Sequence, residues 1–577
     1  MSSEMEHGIK MKWRYFAAPD IPDDLFHPGE TLEDSLTLPD GRTIPGIAFR
    51  FPESGVIDMN QLIQPNPAIL ARTVLKADFT AEEDCTIHFG LGADWMLVLH
   101  FNGEILLDTR HCGNSEAEVH PLNFTLELNC RKGRNQLIYE VFGGKKSFLV
   151  AAKVLNIPKL KVEYGPWAHF PDAEQGRIVI TFKTNRETPA GIRYRKKGSQ
   201  ADWVAVYDNL GGQIRRDTEV HNVTLLELDP DTEYEYQLTV IDEYANRQEK
   251  ILPGTNYFRS APAKGTPFKF MTFADLQLPR EERSAWLKQT LQSSDGKEAA
   301  FFALLGDVNW AVNFDQDCIE EMVLPYLEYS KPEQQLLWIR GNHEIYGKDS
   351  NRFFQYFNFP APGREGYGLF RWGDVCFIVL DFCDDGPRQN SAATTRYLHD
   401  FEPYIQAQKR WLAQAVEMEV CRDAKYRIVL AHGLPVGDNQ AYMPGHVRQV
   451  IDPVFSGRNP VCKIHLWLGG HVHYAVRTFP GENAWRCSDD LTRRFPERMP
   501  LPKVGTNYDF PVCVHSGPSA KNAEDMNTTS MVISVDDAGI HVTHRNRDGV
   551  PFDRFTVLPN GSVQDEWSAE WFRKYEY

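Results

Sequence analysis

Five short, largely apolar runs in the C-terminal half of the chain each stop at a small polar cluster. The run 268–274 ends in Asp275-Leu276-Gln277, and 301–305 ends in Gly306-Asp307-Val308-Asn309. The run 335–340 leads into Gly341-Asn342-His343-Glu344, 427–431 into His432, and 464–468 into Gly469-Gly470-His471-Val472-His473. Runs this short, bounded by turn formers, fit strands buried on both faces better than helices. Amphipathic segments lie between them; Ile405, Leu412, Ala415 and Val416 share one helical face. Strands alternating with helices predict α/β layers, in which loops at strand C-terminal ends gather into one crevice. Oxygen donors from Asp and Asn with imidazole nitrogens suit divalent metals such as Mn, Fe or Zn. A lone Gly-Asp marks a turn more often than a ligand, and a lone Ala-His is an ordinary strand end. Gly-Asn-His-Glu is sharper, because glycine permits a tight turn from which Asn and His protrude. In Gly-His-Val-His, two histidines at i and i+2 can address two neighbouring ions.

The rest of the chain reads differently. Its 577 residues suggest three or four domains at roughly 100–200 residues each. With 79 acidic against 62 basic side chains the net charge is −17, which argues against nucleic acid as the main partner. No apolar run approaches the ~18 residues of a membrane-spanning helix, so no membrane partner is expected. The ten cysteines stand singly and the N-terminus lacks an apolar signal stretch. Both point to a reducing, cytoplasmic setting, although a secreted protein shorn of its signal reads the same. Between about residues 70 and 155, β-like runs alternate with turn signals. Asn102-Gly103 between two such runs predicts a hairpin. With the strand 136–141 after Gly133, this stretch resembles the galactose-binding-like jelly rolls of many bacterial hydrolases. The resemblance implies an N-terminal jelly-roll β-sandwich over 1–163, either structural or with carbohydrate as its partner. Leu228-Asp229-Pro230-Asp231-Thr232-Glu233-Tyr234 resembles the fibronectin type III signature, whose tyrosine hydroxyl pins a turn. It implies a second β-sandwich over 164–263 acting as a spacer, with Trp203 on its inner face. The stretch 254–266 reads as a linker.

The ordered clusters resemble the calcineurin-like metallophosphoesterases, and more closely the purple acid phosphatase branch. That branch reads DxG, GDxxY, GNH(D/E), VxxH and GHxH, and commonly carries a fibronectin-like domain ahead of them. Tyr367 to Asp381 and Gln408-Lys409-Arg410-Trp411-Leu412 resemble further segments of the same family. The resemblance implies a C-terminal four-layer α/β sandwich over 264–577 that holds two metal ions (Fe, Mn or Zn). In it Asp307 bridges the ions; Asp275 and His473 join one, and Asn342, His432 and His471 the other. The implied reaction is hydrolysis of phosphomonoesters or phosphodiesters by in-line attack of a metal-bridging hydroxide. His343 would donate to the leaving-group oxygen, with Glu344 orienting it. Asp381 is expected to be structural, and Arg477 either a surface residue or a phosphate contact. Two departures stand out. Trp310 replaces the branch's metal-binding tyrosine and cannot ligate iron. Gln277 stands where diesterase-like relatives carry histidine, and its amide oxygen, or that of Asn309, is a weaker neutral ligand. These departures favour the alternative, a weakly active or inactive phosphate- or carbohydrate-binding scaffold. The loops 384–395 and 439–447 are expected to wall the pocket.

Overall fold

Asn102 and Gly103 have φ of 48° and 87°, and the strands Met96–Phe101 and Glu104–Asp108 close on them as the expected hairpin. The structure, a computed structural model, describes residues 9–576 except 19, 23–24, 28, 64–71, 114–117, 144–147, 173–175, 246, 358–365, 384–394, 437–443, 458–459, 483, 489–507 and 518–527. Most of the two loops expected to wall the pocket lies outside the described residues. The chain divides into two compact units, residues 1–160 with 240–250, and residues 161–239 with 251–577. No helix among the described residues is long and apolar enough to cross a membrane.

The first unit holds a six-stranded and a four-stranded sheet, both antiparallel. Alternate residues of each face a common core, in which Leu75, Leu99 and Leu137 of one sheet share space with Phe89, Leu91 and Leu128 of the other.

The second unit opens with a three-stranded sheet of Val162–Asp172, Arg177–Thr184 and Val220–Leu225. Beside the next strands the Asp229 N–H donates to the Tyr234 hydroxyl at 3.0 Å, so the tyrosine pins its turn. Two expectations fail here. Trp203 is not a core residue; the outward-facing Arg193 and Arg195 stack on its half-exposed ring at 4.8 and 4.4 Å. The supposed linker contains the strand Asn256–Arg259, which pairs with Glu233–Tyr236.

After residue 267 the parallel strands begin. In the first sheet β1 (Phe268–Phe273), β2 (Phe301–Leu304) and β3 (Gln335–Trp338) run parallel. In the second, β4 (Gly368–Trp372) pairs antiparallel with β5 (Val375–Leu380). Then β5, β6 (Tyr426–Ala431), β7 (Leu466–Gly469) and β8 (Val512–Val514) run parallel. β5 explains why these strands are apolar throughout. Val375, Phe377 and Val379 enter the core shared with the first sheet, while Cys376, Ile378 and Leu380 enter the core shared with helices. Phe377 sits 5.2 Å from Phe270 and 5.5 Å from Phe301, and burying each such ring is worth about 2–3 kcal/mol. Helix α1 (Arg280–Leu291) covers the first sheet through Trp286 and Leu287. Helix α2 (Phe401–Ala415) covers the second through Ile405 and Leu412. The layers are therefore helix, sheet, sheet, helix. Arg477 is neither exposed nor free for phosphate; it is fully buried and paired with Asp553 and Asp565 at 2.7–2.8 Å.

Candidate metal centre

The turns after β1, β2 and β7 share an uncommon backbone conformation. Asp275, Asp307, His471 and His473 have φ of 56°, 58°, 74° and 59°, four of the ten positive values at non-glycine positions among the described residues. Each costs roughly 1–3 kcal/mol and persists only where its surroundings over-determine it. For Asp307 those surroundings are visible. The Glu344 carboxylate accepts the N–H groups of Gly341 (2.6 Å), Asp307 (2.9 Å) and Val308 (3.0 Å). Gly341 is needed for closeness rather than for an unusual φ, since a Cβ there would lie 2.3 Å from Asp307 Oδ1. Gly517 leaves the same kind of room for Asp275, since a Cβ there would meet the Asp275 Cβ at 2.5 Å.

The side chains aimed by these turns converge. Ligand atoms of Asp307, His432 and His471 lie within 4.8 Å of one another, and so do those of Asp275, Asp307 and His473. Asp307 is common to both groups. Its Oδ2 faces His432 Nε2 at 3.1 Å, while Oδ1 accepts the His343 N–H at 2.8 Å. Asn342 Oδ1 joins the first group, 2.8 Å from His471 Nδ1 and 3.1 Å from His432 Nε2. His473 Nε2 is 3.4 Å from Asp275 Oδ1. His432 Nδ1 lies 2.7 Å from the Leu305 carbonyl, which only accepts, so Nδ1 carries the proton and Nε2 faces the centre. The Gln277 amide nitrogen approaches Asp307 Oδ2 at 3.4 Å, and its Oε1 is buried with no hydrogen-bond partner. An orphaned buried amide oxygen, on a residue whose amide nitrogen reaches Asp307, is what a cation would satisfy. The donors therefore fit two ions sharing Asp307.

Electrostatics point the same way. Burial works to raise the Asp307 carboxyl, but the charge and hydrogen bond of His432, with His343 and His471 nearby, hold it well below its usual range. Burial opposes charge on His432 too, yet Asp307 and Asp275 push it up to about 10. Burial raises Asp275 despite His432, and Asp307 adds to the rise. Burial pushes His473 down to about 4. Burial and then Asp307 raise Glu344. Carboxylates this close keep full charge together only beside compensating cations.

Three assignments change. Glu344 was expected to orient His343, but its oxygens are taken by three backbone N–H groups and it holds the Asp307 turn instead. His343 is oriented by Trp310, whose carbonyl lies 2.7 Å from Nδ1; this leaves Nε2, 3.9 Å from Asp307 Oδ2, to face the centre. With Nδ1 protonated, the ring donates from Nε2 only as the imidazolium. Asn309 is not a ligand: its Oδ1 accepts from Arg283 and its amide donates to the Asp317 carbonyl at 2.8 Å. Asp381 is structural as expected, accepting from Arg340 (2.7 Å) and from the Tyr404 hydroxyl (2.7 Å). Sequence reasoning missed Arg283, Gly517 and the Trp310 carbonyl. Of these, only Arg283 left a trace in the sequence, three and four residues before Trp286 and Leu287 on the same face of α1.

Residues 268–475 match the family model of the calcineurin-like phosphoesterases. No curated protein sequence matches the chain. Among solved structures, the purple acid phosphatase PPD1 from yellow lupin (Lupinus luteus) seeds is similar at 15% identity and a TM-score of 0.44, over 85% of this chain and 94% of that one. A dimetal phosphatase from Danio rerio is similar at 12% identity and a TM-score of 0.32, over 49% of this chain and 97% of that one. The stretch that matches the calcineurin-like phosphoesterases, residues 268–475, is the one that holds Asp307 and every donor of both groups.

Proposed function

We propose that this domain hydrolyses phosphate esters, monoesters or diesters, with two metal ions of the Fe, Mn or Zn type. The observation that carries the reading is the pair of donor groups that share Asp307. Asp275, Gln277 and His473 would hold one ion, and Asn342, His432 and His471 the other. Bound there, two ions supply a clamp on the phosphoryl oxygens and a water acidic enough to attack phosphorus near neutral pH. The chain's own contribution is positional. Glu344 and Gly341 set the Asp307 turn. The Leu305 carbonyl fixes the His432 tautomer. The Trp310 carbonyl holds His343 with Nε2 turned to a leaving-group oxygen, to which it donates as the imidazolium.

The test is to strip the protein with a chelator, add back Mn, Zn or Fe, and assay p-nitrophenyl phosphate and its bis ester. Turnover restored by metal supports the reading; metal uptake without turnover of either ester contradicts it. His343→Ala should keep its metal and lose about 10²–10⁴-fold in turnover, the usual worth of acid–base help. Loss of metal in that variant would make His343 a structural residue. The second reading, a phosphate-binding scaffold with little turnover, is favoured by the neutral Gln277 amide that stands against Asp307.

A further inference from the structure

Trp310 is exposed over 63% of its surface although it adjoins the centre. Its backbone is fixed from two sides. The carbonyl holds His343 Nδ1 at 2.7 Å, and two residues on, the Val312 N–H donates to the Tyr346 carbonyl at 3.0 Å. The indole stands 5.3 Å from the His343 ring and nearly perpendicular to it, at 85°; Tyr346 stands 5.2 Å from the same ring, at 82°. A leaving-group oxygen served by His343 must come within about 2.6–3.2 Å of Nε2. The atoms attached to that oxygen then lie in the neighbourhood of the His343 ring, against which the indole is packed. A large apolar face held open at that point gains most from covering a flat partner.

On the phosphoesterase reading, we infer that Trp310 is the platform for the leaving group, and that the site selects esters with a flat aryl or heteroaryl leaving group over short alkyl esters. The indole makes the contact with the leaving group, while the carbonyl of the same residue orients the group that serves its oxygen. A competing seat for such a ring is the cavity of about 500 Å³ lined by Arg340, Ile345, Phe354, His399, Phe401 and Tyr404.

The experiment is calorimetric titration of the Mn-loaded full-length protein with phenylphosphonate and with methylphosphonate, neither of which has an ester bond to lose. Wild type should bind phenylphosphonate about tenfold more tightly, the usual weight of one aromatic stack. Trp310→Ala should bring the two affinities within about twofold by weakening phenylphosphonate alone, since the backbone carbonyl remains. Trp310→Phe should keep most of the preference. Equal affinities in wild type, no binding of either ligand, or a preference that survives Trp310→Ala and disappears in Phe354→Ala would each overturn the inference. Failure of the phosphoesterase reading has a different signature: the phenyl preference and its dependence on Trp310 stand while p-nitrophenyl phosphate is not turned over with any metal.

Discussion

Each half of the centre sets an imidazole against a buried carboxylate, and burial acts on the two imidazoles with opposite outcomes. His432, 3.1 Å from Asp307 and fully buried, is pushed up to about 10 because two carboxylates outweigh the cost of burying charge. His473, 3.4 Å from Asp275, is pushed down to about 4 because burial wins. The halves differ in donors as well. Asn342, His432 and His471 line one, whereas the other has Asp275 and His473, with the Gln277 amide reaching the shared Asp307. The difference teaches that the ligand pattern alone does not set the behaviour of a half-site. Without metal at neutral pH, one half stores a proton on its imidazole and the other does not.

The harshest way to break the comparison is to remove what the halves share. Asp307→Ala should take metal content from about two ions per chain to almost none, read by elemental mass spectrometry. Glu344→Ala comes next. It leaves the Gly341, Asp307 and Val308 N–H groups without their acceptor and should cost about 1–3 kcal/mol of stability for each buried group left unpaired. Metal affinity should fall about 10–100-fold, as when a group that supports a ligand is lost. Stability unchanged in Glu344→Ala would mean that the turn is held by something else.

Proton uptake sharpens the comparison. A raised folded pKa on His432 means that its pairing with Asp307 stabilises the metal-free protein fully below the unfolded value of about 6.5. That stability is lost as pH rises through about 10. An ion entering this half must displace the same proton, so affinity should rise with pH by up to about tenfold per unit until that point. Titrations in buffers of different ionisation heat measure the proton release, and His432→Gln should abolish its part of it. The smallest expected effect is Gln277→His, which should tighten the other half by about tenfold, or ~1.4 kcal/mol. Unchanged affinity would mean that this side chain does not reach the ion.

The sequence made the strand ends legible because a strand buried on both faces must be apolar throughout, and the polar residues then mark where it stops. Asp275, Asp307, Asn342, His432, His471 and His473 could be read that way. What could not be read are pairings set by residues distant along the chain. Glu344 looked like a partner of its neighbour His343, yet its acceptors serve backbone 36–37 residues away. Asn309 offered an oxygen, but Arg283, from α1, had already taken it. Arg477 gave no sign that Asp553 and Asp565 would neutralise it inside the fold. Trp203 was misread because a tryptophan covered by two arginines on an outer face looks in sequence like a core residue.

On the proposed reading one carboxylate, Asp307, serves two ions at once. Native mass spectrometry of the metal-reconstituted protein tests it most directly. Two ions are expected on the wild type, one on His432→Ala, and none on Asp307→Ala. A single ion on the wild type, or an Asp307→Ala protein that still carries two, would contradict it.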